Sequence, residues 1–217
     1  MDDHRQKIDE QLVAGGVVAI VRLDSASALA ELTETLRQSG ITAIEFTLTT
    51  PGALEMLKAL APRYDDVLFG AGTVLSADMA QQALAAGARF IVSPVLKREL
   101  VEVGRQHHVP VVLGGFTPTE LWQAWEWGAD FVKLFPASSA GPEYIQAVRA
   151  PLPQLRLMPT GGVSVENAAA YLKAGAACLG VGGRLVDRKL IAAGRLDEIA
   201  AYARRLVAAV REARLAS

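Results

Sequence analysis

ALAAGARFIVS (83–93), AWEWGADFVKLF (124–135) and YLKAGAACLGVG (171–182) follow one grammar. A helical segment runs into a glycine, one to three small or polar residues follow, and an apolar, β-favouring run begins. Gly87, Gly128 and Gly175 stand where a left-handed residue ends a helix, and Gly40 does the same in QSGITAIEF. Working outward, the same unit fills the chain. The candidate strands are VVAIVR (17–22), AIEFTL (43–48), VLFGAG (67–72), RFIVS (89–93), PVVLGG (110–115), DFVKLF (130–135), RLMPTGG (156–162) and CLGVGG (178–183). They are continuous apolar runs, not strict alternations, as expected of a parallel sheet covered on both faces. Eight units in 217 residues leave roughly 27 residues each, with no block over for a second domain. The reading is a TIM (β/α)8 barrel with a short N-terminal helix, one domain over residues 1–217. An open doubly wound sheet is the runner-up, and it lacks a Gly-x-Gly-x-x-Gly turn after the first strand.

Helix signals fit this frame. Ser25, Ser76, Thr117 and Ser164 occupy candidate N-cap positions; Thr117 with Glu120 forms a capping box, and Ser164 with Asn167 half of one. Leu196, Ile199, Ala203, Leu206, Val210 and Ala213 make one apolar stripe on a last helix.

Composition excludes several classes. Lys and Arg number 22 against 23 Asp and Glu, a net charge of −1, which is no nucleic-acid platform and no polybasic membrane anchor. An apolar share of 51% excludes intrinsic disorder. A single cysteine, Cys178, precludes an internal disulfide framework. No apolar run approaches the roughly 20 residues of a membrane helix, and MDDHRQKIDEQL has no signal-peptide core. A cytoplasmic protein is expected.

In such a barrel chemistry gathers at the C-terminal strand ends, so polar residues inside or just after the apolar runs are the candidates. Lys133 lies between Phe131-Val132 and Leu134-Phe135. Burying an ammonium is costly unless it is paired or loses its proton, and a neutral amine is a nucleophile toward ketones. The alternative is a structural lysine paired with a carboxylate. Glu45, between Ile44 and Phe46, is a candidate general acid/base; it reads equally as a partner for Lys133 or as a carboxylate facing water. Arg22, ending strand 1, suits a bidentate grip on a substrate carboxylate, or is an ordinary rim arginine. Thr73 follows strand 3 and Ser93 strand 4. Thr160-Gly161-Gly162 after strand 7 and Gly182-Gly183 after strand 8 fall where (β/α)8 barrels hold phosphate, with a following helix N-terminus expected to help.

Other features read as structural. His107-His108 has no Cys or His at metal-ligand spacing, Trp122, Trp125 and Trp127 suggest packing or a subunit interface, and Arg204-Arg205 a solvated face. No Ser-His-Asp order, P-loop or Gly-x-Ser-x-Gly elbow is present.

The series IVR (20–22), EFTLTTP (45–51), GAGTVL (70–75), SP (93–94), TPTE (117–120), VKLFPAS (132–138), PTGGVS (159–164) and GVGGRLV (180–186) resembles the KDPG/KHG aldolase family, from about residue 10 to the end. The resemblance implies a class I, metal-independent aldolase with no cofactor, built as a TIM barrel and assembled as a homotrimer. By position, Lys133 looks like the Schiff-base lysine, Glu45 like the general acid/base and Thr73 like a ligand of the pyruvate moiety. Gly161, Gly162 and the Gly182 turn look like the phosphate site. The implied reaction cleaves 2-keto-3-deoxy-6-phosphogluconate, with 4-hydroxy-2-oxoglutarate as a further substrate. A phosphogalactonate-type enzyme and a non-catalytic trimeric building block are the alternatives, and Thr160 resembles the gluconate type. Two departures stand out. Thr49 occupies the position where many members carry the pyruvate-binding arginine, a role a second branch gives to an arginine placed as Arg22 is. Gly183 stands where many members have Ser, and Arg184 is the candidate to compensate.

Overall fold

The computed structural model describes residues 3–215. Eight strands alternate with helices: β1 (Val17–Val21), β2 (Ala43–Thr47), β3 (Leu68–Gly72), β4 (Phe90–Val92), β5 (Val111–Gly115), β6 (Phe131–Leu134), β7 (Leu157–Pro159) and β8 (Leu179–Val181). All pair in parallel in the order β7-β6-β5-β4-β3-β2-β1-β8. β7 meets β8 through an isolated bridge, Thr160 to Gly180, rather than a ladder, and this rung completes the TIM-type barrel. Strands run shorter than their apolar stretches where the backbone turns away. RLMPTGG stops at Pro159 because Gly161 and Gly162 take φ +89° and +82°, outside any strand conformation.

The sheet has two kinds of face. Outward residues such as Ala19, Ile44, Phe69, Ile91 and Leu113 join the helices in one apolar shell, and the final helix Leu196–Leu215 buries its expected stripe from Ile199 to Ala213 there. Inward residues Val18, Ala43, Leu68, Phe90, Val112, Phe131, Met158 and Cys178 fill the lower half of the barrel. The first helix, Asp3–Gly15, plugs that end with fully buried Ile8 and Leu12, each contributing about 1.5–3 kcal/mol of apolar burial. It is fastened by two forked ion pairs. Arg5 donates to both oxygens of Asp130 at 2.9 and 2.7 Å, and Arg156 to both of Asp9 at 2.7 and 2.8 Å. Asp130 also accepts the Val111 amide at 2.7 Å, and the Arg156 guanidinium lies 4.2 Å from the centre of the Phe131 ring. Burial in this floor pushes the Cys178 thiol up to about 12, which makes it inert.

The helix starts divide. Ser76 accepts the Met79 amide, and Thr117 with Glu120 closes the full capping box. Ser25 does not cap: its helix begins at Leu29 after Ala28, and Ser25 Oγ sits 2.8 Å from Ser27 Oγ. Three further residues of loop intervene, so the hydroxyl is out of reach of the first turn. Ser164 likewise precedes a turn, and the helix Ala168–Lys173 starts after Asn167, whose side chain accepts the Ser164 amide. Trp122, Trp125 and Trp127 pack half-buried against the outer shell.

Candidate active site

At the upper end the inward side chains change character. Glu45 pairs in register with Gly70 of β3, and Lys133 with Gly114 of β5. Each of the two titratable residues therefore has a neighbouring strand position without a side chain. On the closed barrel β2 and β6 stand four strands apart, so Glu45 and Lys133 project from opposite walls.

The glycines make the room. A Cβ on Gly72 would lie 1.7 Å from Glu45 Oε1, and one on Gly70 would lie 2.3 Å from the Phe90 ring. A strand glycine under such a close approach has a positional meaning that any larger residue would destroy. Glu45 is 0% exposed and neither carboxyl oxygen finds a hydrogen-bond partner. Burial holds its carboxyl above the ordinary range, against the opposing pull of Lys133 and Arg22. Its carboxyl is closed off from the surface and forms no hydrogen bond with Lys133 or any other cation among the described residues.

Lys133 is 5% exposed and burial lowers its pKa; Glu45 opposes that shift and Arg22 adds to it. Its Nζ lies 5.3 Å from the centre of the Phe135 ring, just past the end of β6. Burial thus disfavours the charged form of both groups, while their mutual attraction opposes it.

Above them opens a cavity of about 1260 Å³ lined by Arg22, Thr73, Lys133, Thr160, Gly161, Gly162, Gly182 and Gly183. Of the candidates read from the sequence, Glu45 and Ser93 lie outside the lining, Glu45 buried in the barrel wall. Arg22 is exposed directly after β1, and its charge reaches both buried groups. Thr73 takes φ +58°, a conformation costing a β-branched residue about 1–3 kcal/mol and one that clusters at functional sites. Ser93 is fully buried outside the lining, its hydroxyl accepting the Val95 amide at 3.4 Å.

The glycine loops meet at the β7–β8 seam. Gly180 lets Thr160 cross it, for a Cβ there would lie 2.3 Å from Thr160 Oγ1. Gly162 packs on Ser138, where a Cβ would approach to 2.6 Å, and Asn167 Nδ2 donates to the Gly162 carbonyl at 2.9 Å. The expected helix N-terminus is not part of this loop, because a turn over residues 165–167 separates it from Gly162. Gly183, at φ +42°, has open space around its absent Cβ, so strain and not room disfavours a side chain there. Cations line this end instead: Arg184, Arg188 and Lys189, with Arg188 held by Asp24 at 3.0 Å.

Sequence reasoning missed Gly70, Gly72, Phe135, Arg188 and Lys189. The two glycines carried a usable signal, an interrupted strand next to GAGT. Phe135 carried one too, standing two residues after Lys133 in the same apolar run. Arg188 and Lys189 follow a turn that gave none. Among the described residues, no three His, Cys, Asp or Glu side chains gather as a metal site would require.

An eight-fold parallel barrel with a buried amine and a buried carboxyl beneath one open mouth has the build of a (β/α)8-barrel enzyme. Comparison with known proteins narrows the class. The family model for KDPG and KHG aldolase matches residues 8–202. The 2-dehydro-3-deoxy-phosphogluconate aldolase of Haemophilus influenzae is 33% identical over 203 residues, 93% of this chain and 96% of its own. The KDPG aldolase of Legionella pneumophila, solved with pyruvate captured at low pH as a covalent carbinolamine, superposes with a TM-score of 0.84 at 30% identity, over 91% of this chain and 97% of that one. A cube-shaped cage designed by fusing symmetric oligomeric domains contains a similar fold: TM-score 0.83 at 32% identity, over 93% of this chain and 74% of the cage chain. This chain belongs to the KDPG/KHG aldolase family, whose members are lyases.

Proposed function

We propose that this chain reversibly cleaves 2-keto-3-deoxy-6-phosphogluconate to pyruvate and glyceraldehyde 3-phosphate through a Schiff base on Lys133, and that it accepts 4-hydroxy-2-oxoglutarate as a second substrate. The observation that carries this reading is the pair of buried groups projecting from opposite walls beneath one mouth, Lys133 and the unpartnered carboxyl of Glu45.

Neutral Lys133 adds to the C2 ketone. Glu45, whose protonated form burial favours, gives its proton to the departing hydroxyl as the carbinolamine loses water to become an iminium. The carboxylate left behind takes the C4 hydroxyl proton. The C3–C4 bond breaks, its electron pair passes into the iminium, and glyceraldehyde 3-phosphate departs. The enamine takes a proton at C3, and water hydrolyses the iminium to free pyruvate and the amine. One water leaves and one returns, and the proton Glu45 collects from C4 is the one C3 needs. Arg22 and Thr73 hold the carboxylate end. Thr160 and the glycine loops, Gly161-Gly162 and Gly182-Gly183, hold the phosphate, with Arg184 supplying charge where a Ser hydroxyl is missing. A single barrel domain suffices for all of this.

The same reading extends to a cytoplasmic homotrimer. Leu75, Val95 and Phe135 expose 41%, 45% and 40% of their surface around the mouth, apolar area suited to a neighbouring copy. Light scattering should return three times 23.0 kDa.

The deciding experiment is borohydride reduction in the presence of pyruvate followed by peptide mapping. The expected adduct is on Lys133; a modified peptide elsewhere, or none, removes the Schiff-base mechanism.

A further inference from the structure

The β1–β2 ladder ends at the pair Val21–Phe46, yet the chain beyond it is held in place. Thr47 Oγ1 donates to the Val21 carbonyl at 3.1 Å, and the Leu23 amide donates to Thr50 Oγ1 at 3.1 Å. These bonds fall on the residues immediately before and after Arg22. The hydroxyls of Thr47 and Thr50 sit 3.4 Å apart, Thr49 donates to Thr47 at 3.4 Å, and the Thr50 amide closes a turn onto the Thr47 carbonyl at 2.9 Å. Thr47 and Thr50 are 1% and 2% exposed, and Val21 and Leu23 are buried as well. Two side chains thus continue the strand pairing for one step where the backbone has stopped. The residue inside that step is exposed and lines the same cavity as Lys133.

We infer that Thr47 and Thr50 are positioning residues for Arg22, fixing the direction from which its guanidinium meets the carboxylate of the keto acid. An arginine on a free loop end would sample many rotamers and lose that entropy on binding; a bracketed backbone removes part of the loss beforehand. Thr47 at the end of β2 and Thr50 in the loop after it contribute through β1 what an arginine in that loop would supply directly. This rests on the proposed role of Arg22.

The test reads how the rate of borohydride trapping at Lys133 depends on pyruvate concentration, with thermal melting of each variant beside it. Thr50→Val removes the acceptor of the Leu23 amide at nearly constant volume. It should raise half-saturating pyruvate about tenfold while leaving the rate at saturation within about twofold, the pattern of lost ground-state binding. Thr50→Ser should restore the wild-type value. Thr47→Val, acting on the other side of Arg22, should repeat the effect if Thr50→Val proves too unstable to assay. In an Arg22→Gln background, Thr50→Val should add nothing further, because its target is gone. An unchanged half-saturation in both valine variants, or an equal effect with and without Arg22, overturns the inference. If Arg22→Gln itself leaves pyruvate binding untouched, the role of Arg22 fails, and that outcome is seen independently of the threonine variants.

Discussion

The two ends of this barrel treat charge in opposite ways. At the floor, Asp9 and Asp130 are each met by both prongs of an arginine, and Asp130 takes a backbone amide as well. At the mouth, Glu45 is fully buried with no partner for either oxygen, and Lys133 is nearly as dry. One chain, one sheet and the same inward-pointing pattern produce both. The fold can satisfy a buried carboxylate when a matched arginine is supplied; at the mouth it supplies glycines. The floor is built for cohesion, and the mouth keeps two groups in uncomfortable, reactive states.

The largest effect should come from removing the amine. Lys133→Met should lower cleavage by about 10⁴-fold or more, the scale for deleting a covalent nucleophile, while the thermal midpoint stays level or rises because a buried amine no longer needs desolvating. A midpoint that falls by many degrees would mean that Lys133 belongs with the floor. Next, Glu45→Gln should slow turnover about 10²-fold or more while raising the midpoint, measured by calorimetry with activity on the same sample. An unchanged rate would remove Glu45 from proton transfer.

The pH dependence of that gain sharpens the contrast. The Glu45 carboxyl is raised above its ordinary value of 4.5, so the folded protein keeps a proton that the unfolded chain releases. Stability then falls as pH rises from 4.5 through the folded-state value, and the advantage of Glu45→Gln should be present at neutral pH and vanish toward 4.5. Lys133 is lowered from 10.5, so its penalty is complete at low pH and fades as pH rises toward 10.5. The advantage of Lys133→Met should therefore be lost toward alkaline pH. Calorimetric midpoints across pH that move in the same direction for both variants would break this account.

The smallest effect belongs to the floor. Asp9→Asn removes one half of a part-exposed fork, at 10% and 30% side-chain exposure, and should cost about 1–2 kcal/mol after allowing for solvent screening. That corresponds to a fall of roughly 2–8 °C in the midpoint for a chain this long, with kcat and KM unchanged. A loss of activity larger than the loss of folded protein would show that floor and mouth are coupled.

The architecture was legible because its signals are local. Gly40, Gly87, Gly128 and Gly175 all take positive φ at helix ends, and each apolar run carries its own β preference. Lys133, Glu45 and Arg22 were legible for the same reason, as charges out of place in strands. What stayed hidden depends on partners distant in sequence. Gly72 matters through the Glu45 carboxyl on the neighbouring strand, and Thr50 through a bond to a residue 27 positions away. Ser25 misled because a cap needs the helix to begin beside it, and here the loop runs on to Ala28.

The single rung between Thr160 and Gly180 leaves the hoop with one thinly stitched joint, and the glycine loops of the mouth flank it on either side. A rigid anion gripping Gly161-Gly162 on one strand and Gly182-Gly183 on the other would act as a staple across that joint. Ligand capture and hoop closure would then be a single event, and a bound phosphate would slow isotope exchange at amides along β7 and β8 well away from its own oxygens.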